Sequence, residues 1–130
     1  MKTTRHESAE DYLETILVLS KQLPVVRAVD IANELNYKKS SVSVAMKNLR
    51  NAEQITVSDA GYITLTEEGK RIAEMIYSRH QFFSKWLISL GIDEELAAED
   101  ACSMEHDMSE TTFQAIKKFV SEHSNLDLEQ

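Results

Sequence analysis

Cys102, Glu105 and His106 stand at i, i+3 and i+4, the spacing that gathers three side chains on one face of a helix. A thiol, a carboxylate and an imidazole are all donors to divalent transition metals. Three donors from one helix cover one side of an ion, so the remaining ligands must come from elsewhere. Asp11 and Glu14, again three apart, offer two hard oxygens near the start of the chain, and His80 offers a second imidazole just before an aromatic run. Taken singly, each has a plainer account. Asp11 and Glu14 could form a solvated helix face, His80 could be a hydrogen-bonded interior histidine, and Cys102 a small buried hydrophobe. Together the six point to a metal site for one or two ions per subunit, with Glu105 as the bridge if there are two.

The elements that must position these residues follow from periodicity. SAEDYLETILVLSK places Tyr12, Leu13, Ile16, Leu17 and Leu19 at helical spacing, with Ser8 as its start and Pro24 beyond its end. VRAVDIANELN carries an apolar stripe of about two turns. After the polar link NYKK, Val42, Ala45, Met46 and Leu49 define a third helix. ITV and YITL around Asp59-Ala60-Gly61 read as a hairpin. A long helix runs from Thr66 to a stop at Gly91, and Asp93 caps a helix over EELAAEDACSMEHDM. Ser109 starts a last helix, and the tail NLDLEQ is polar and frayed. The expected fold is mainly α with a small β-hairpin: an N-terminal winged helix-turn-helix over residues 1–70, then a helical dimerisation domain over 71–130.

Composition sets the limits. The chain has 130 residues, 42% hydrophobic and 28% charged, as in an ordinary soluble protein. Three glycines and one proline argue against a sandwich or barrel with many tight turns. No apolar run approaches the roughly 18 residues of a membrane span, and the N-terminus does not resemble a secretory signal. One cysteine forms no internal disulfide framework, so a cytoplasmic location is expected. The net charge of −8 is unevenly spread: residues 1–70 carry nine Lys/Arg against ten Asp/Glu, and residues 71–130 five against twelve. Positive charge can therefore be concentrated in the first half.

Two short helices and a hairpin in this order place the second helix in a DNA major groove. Its N-terminal end reads Lys38, Lys39, Ser40, Ser41 and Ser43, with Lys47 and Arg50 further along and Arg27 just ahead of the preceding helix. Lysines and a helix N-terminus attract phosphates, and small hydroxyls let the backbone approach. None of these forms the Arg–guanine or Asn–adenine pairs that announce a target sequence. A plain α+β core is the alternative reading of the same element order.

Over nearly its whole length the chain resembles the diphtheria toxin repressor / manganese transport regulator family. The likeness rests on AEDYLETI, DIANELNYKKSSVSVAMKNL, GYITLTEEGKRIA, RHQFFSKWLISLGI and ACSMEHDMS. It implies a winged helix followed by a dimerisation domain, with divalent metal favouring operator binding. It also implies Asp11, Glu14, His80, Cys102, Glu105 and His106 as the ligands. Cys102 replaces the glutamate of the manganese branch. Asp11 replaces the methionine of the iron branch, and Ala98 stands where that branch has an ancillary histidine. The third, SH3-like domain of the longer iron regulators is not expected here.

The oxygens suit Mn²⁺, the imidazoles Fe²⁺ or Zn²⁺, and a Cys102 thiolate moves preference towards softer ions. The expectation is Fe²⁺ first and Mn²⁺ next, with Zn²⁺ or Co²⁺ accepted in vitro. The expected partners are a palindromic double-stranded operator and a second copy of the chain. Phe82, Phe83, Trp86, Ile88, Phe113, Ile116 and Phe119 exceed what so small a helical domain should bury, so part of this set is expected at the dimer interface. A thiol-responsive regulator sensing oxidation through Cys102 is one alternative. A small metalloenzyme is a weaker one, because no H-E-x-x-H motif is present and six ligands leave little open coordination.

Overall fold

Tyr12, Leu13, Ile16, Leu17 and Leu19 are all buried along α1 (Ala9–Gln22) in the computed structural model, which describes residues 9–123. The expected start at Ser8 and the tail NLDLEQ lie outside the described residues. Arg27 is the N-cap of α2 (Ala28–Leu35), where its backbone N–H donates to the Asp30 carboxylate at 2.8 Å. Asn36 ends α2 in the left-handed region, a conformation asparagine tolerates. The third helix, α3 (Lys39–Asn51), buries Val42, Met46 and Leu49.

β1 (Ile55–Val57) pairs antiparallel with β2 (Ile63–Leu65), with Thr56 opposite Thr64. Gly61 adopts φ +86° in the connecting turn and donates its N–H to the Ser58 carbonyl. The Ile63 N–H donates to the Val26 carbonyl at 2.8 Å, which draws the segment before α2 alongside the hairpin. α1, α2 and α3 pack on one another while β1 leans on α3 and β2 on α1. This is the winged helix-turn-helix that the element order predicts.

Contacts divide the described residues into two units between Met75 and Ile76, within α4 (Glu67–Ser89). The second unit holds the later part of α4 with α5 (Glu94–Met104) and α6 (Glu110–Glu122). Phe82, Phe83, Ala101, Phe113 and Val120 form its core, and Trp86, Met104, Met108 and Ile116 pack against it. The apolar surplus is thus smaller than the sequence suggests, because Phe82, Phe83 and Phe113 are covered by their own unit. Ile88 and Phe119 do remain exposed, as do Leu90 and Leu96. Gly91, at φ +95°, ends α4 as expected, with the Ile92 N–H returning to the Leu87 carbonyl. Asp93 and Ser109 cap α5 and α6.

α5 is shorter than its periodicity predicts. It stops at Met104, and Glu105 is its C-cap, so Cys102, Glu105 and His106 straddle a helix end rather than share a helical face. The physical reason is a competing donor: Arg79 binds the carbonyls of Glu105 and Met108. These bonds hold the chain in the turn that leads to α6.

The start of α4 is tied to the α3–β1 turn. Thr66 donates its hydroxyl to the Glu53 carbonyl at 2.8 Å and accepts the Gly69 N–H at 3.1 Å. Glu53 itself holds φ +62°, a strained choice for this residue type. A Cβ at Gly69 would collide with the Gln54 backbone carbonyl, which has little freedom to move. Gly69→Ala is expected to cost about 2–3 kcal/mol and to lower the Tm by roughly 10 °C. A thermal melt indistinguishable from the parent would show that this turn gives way freely.

Candidate metal centre

Glu105 has no exposed surface, which is rare for a carboxylate unless it is paired or ligates an ion. Oε1 lies 3.0 Å from His80 Nδ1, and Oε2 lies 3.3 Å from His106 Nε2. The two oxygens therefore face different imidazoles. A ligand atom of Cys102 lies within 4.8 Å of a Glu105 carboxylate oxygen, and the thiol is half-buried. Within this unit the structure brings together four of the six ligand candidates: His80 from α4, Cys102 from α5, and Glu105 and His106 from the turn after it. In the other unit, Asp11 and Glu14 lie on α1, the first buried and the second half-buried.

This donor set fits a divalent transition metal. A buried carboxylate with one imidazole on each oxygen and a neighbouring thiol offers hard, intermediate and soft donors at once. Glu105 would offer a bound cation both oxygens, each of which faces a separate imidazole.

Sequence reasoning missed Arg79. It is 4% exposed and donates from Nη1 to the Glu105 and Met108 carbonyls, each at 3.0 Å, and from Nη2 to Glu110 Oε1 at 3.0 Å. Its guanidinium lies over the Phe113 ring, 5.1 Å from the centroid. Bonds from the Gln114 amide and from Arg79 hold the Glu110 carboxyl below the usual carboxylate range. The only sequence signal was a charged residue beside His80 on a helix otherwise facing a core.

The second set of candidates lies in the first unit. Lys38, Lys39, Ser40, Ser43, Lys47 and Arg50 are exposed on or beside α3, whereas Ser41 is half-buried. Arg27 is exposed too, with its guanidinium 5.0 Å from the ring centroid of Tyr62, beside the hairpin turn. Among the described helices, α3 alone has no acidic residue in its first turn; the other five each carry at least one. Its N-terminal dipole is therefore uncompensated by carboxylates and reinforced by Lys38 and Lys39, the arrangement that accepts a phosphate.

A winged helix with a cationic, acid-free helix start, joined to a helical unit carrying a buried carboxylate among metal donors, defines a metal-responsive DNA-binding regulator. Residues 5–62 match the iron dependent repressor N-terminal DNA binding domain, and residues 66–125 match the iron dependent repressor metal binding and dimerisation domain. The transcriptional regulator MntR of Escherichia coli O6:H1 is 34% identical over 119 residues, 92% of this chain and 77% of that protein. The crystal structure of IdeR from T. acidophilum superposes with a TM-score of 0.71 at 32% identity, covering 89% of this chain and 55% of that one. The manganese regulator SloR has a TM-score of 0.81 at 24% identity over 90% of this chain and 55% of its own, and is similar in fold. The chain thus spans about half the length of these solved structures. It belongs to the diphtheria toxin repressor / manganese transport regulator family of metal-dependent transcriptional repressors, and these relatives are regulators, not enzymes. No helix among the described residues is long and apolar enough to cross a membrane.

Proposed function

We propose that this chain is a cytoplasmic repressor of metal-ion homeostasis genes that binds a palindromic operator as a homodimer when loaded with Fe²⁺ or, next in preference, Mn²⁺. The observation that carries this reading is the fully buried Glu105 carboxylate set between His80 and His106 beside Cys102. The ligand set is Asp11, Glu14, His80, Cys102, Glu105 and His106, for one or two ions per subunit. A bound cation supplies positive charge that neutralises these carboxylates. Asp11 and Glu14 belong to the DNA-binding helices, so their recruitment links metal occupancy to operator binding. Each then strengthens the other by the same factor, typically about 1–3 kcal/mol of coupling. Residues 71–130 are proposed to carry dimerisation, with exposed Leu90 and Phe119 available to it. Arg27, Lys38, Lys39, Ser40, Ser43, Lys47 and Arg50 meet the DNA, with Ser41 supporting them from its half-buried position.

Support for Fe²⁺ over Mn²⁺ comes from Cys102, the one soft donor in the set. The names of the relatives point to both metals. The test is operator affinity against free Fe²⁺, Mn²⁺, Co²⁺ and Zn²⁺, and without metal, done anaerobically so that the thiol stays reduced. Cys102→Glu is expected to improve Mn²⁺ activation relative to Fe²⁺ and Co²⁺ by about tenfold, since a hard oxygen replaces sulfur. An unchanged ranking would mean that Cys102 is no ligand. Operator binding that ignores every metal but responds to peroxide would replace this reading with thiol sensing.

A further inference from the structure

Arg79 is a buried cation in a unit whose apolar core is built from phenylalanines, alanine and valine. Burying a guanidinium is costly, and an apolar side chain of similar volume would often serve stability as well or better. What Arg79 does that an apolar residue cannot is bond two backbone carbonyls on either side of His106. Nη1 reaches the carbonyls of Glu105 and Met108, and Nη2 reaches Glu110 at the start of α6. α5 has no basic residue in its own last turn, so Arg79 also supplies the cation that a helix C-terminus favours. The next residue on α4, His80, holds the Glu105 side chain. Consecutive residues of one helix therefore fix Glu105 twice, through its carbonyl and through its carboxylate.

We propose that Arg79 is a positioning residue for the metal centre: by clamping the turn from Glu105 to Glu110 it presets the Glu105 and His106 side chains before any ion arrives, and so sets affinity and coordination geometry. The inference rests on the metal-binding reading above. Its logic is preorganisation, because a turn already held in its binding conformation loses less freedom when it captures an ion. Lysine is a poor substitute, since a single ammonium lacks the planar fork that serves two carbonyls and a carboxylate together. Glu110 is the exposed end of the clamp, so its loss leaves both carbonyl bonds in place.

The test compares the full-length parent with Arg79→Lys, Arg79→Met and Glu110→Gln under anaerobic conditions. Co²⁺ titration reads affinity, and the ligand-field and thiolate charge-transfer bands read geometry. Hydrogen exchange of the Glu105 and Asp107 amides in the metal-free protein reads the turn itself. Arg79→Met is expected to weaken Co²⁺ binding roughly 10- to 100-fold, alter the bands and speed amide exchange. Arg79→Lys is expected between Met and the parent, and Glu110→Gln within about threefold of the parent. Metal-free, non-specific DNA binding by the first unit should keep its salt dependence in every variant. Should Arg79→Met fail to fold, Arg79→Lys decides. Parental affinity, bands and exchange in Arg79→Lys overturn the inference alone, whereas a parent that binds no Co²⁺ removes the metal reading and this proposal with it.

Discussion

Glu105→Gln should weaken the binding of every divalent metal by roughly a hundredfold or more, since replacing even a residue that only supports a ligand costs 10- to 100-fold. The amide keeps the shape of the carboxylate but carries no charge and leaves one oxygen where two now face His80 and His106. This distinguishes it from Cys102→Glu, which is expected to reorder the metals and not to remove them. His106→Ala should resemble Glu105→Gln, being loss of a donor that all candidate metals accept. Stability provides the control. Removing one member of a buried polar cluster can itself lower the metal-free Tm, so the metal effect is read as the increment in Tm over each variant's own metal-free value. The stabilisation by metal should vanish; for a ligand at a hundred times its Kd that stabilisation is about 2.7 kcal/mol. A variant with parental metal-dependent stabilisation would mean that the His80–Glu105–His106 cluster is a structural knot and that the ion binds elsewhere.

How far this site could be read from sequence differs by residue. Cys102, Glu105 and His106 were legible as a group because donor types recur at a spacing that collects them, and they do meet. The geometry that collects them was not legible. Helical periodicity carries on through residue 106, yet α5 ends at Met104 because a guanidinium 26 residues earlier in the chain takes the Glu105 carbonyl. Local propensity contains no term for such a partner. The same limit applies to Gly69, which reads as an unfavourable helix residue and is needed because the Gln54 carbonyl passes close by. The winged helix was readable for the opposite reason: α2, α3 and the hairpin are each set by local periodicity and turn chemistry. Ser41 shows what spacing leaves out: its place on the helix suggests a groove-facing hydroxyl, and packing leaves it half-buried where Ser40 and Ser43 are exposed.

Lys38→Ala, Lys39→Ala and Lys47→Ala combined should cut operator affinity by at least a hundredfold near physiological salt and flatten its salt dependence. The three side chains are exposed, and two of them flank the only described helix start without a carboxylate. Each phosphate contact releases condensed counterions and contributes about 0.9 to the slope of log K against log salt. A dimer presents two copies of α3, so each substitution removes two contacts and should lower the slope by roughly two. The triple variant should then lose about five units of slope. This magnitude separates two explanations that affinity alone would merge. A monomer on one half-site loses half as much slope, and lysines that merely stabilise the fold lose none. Because phosphate contacts carry no base information, the loss should be nearly equal on operator and unrelated DNA. The ranking of activating metals should not change, since none of these lysines is a metal donor. Substitution of Ser40 or Ser43, exposed on the same helix, should instead shift preference among operator sequences while leaving the slope in place. If the triple variant retains its slope, α3 is not the element that meets the phosphate backbone, and the acid-free helix start has some other cause.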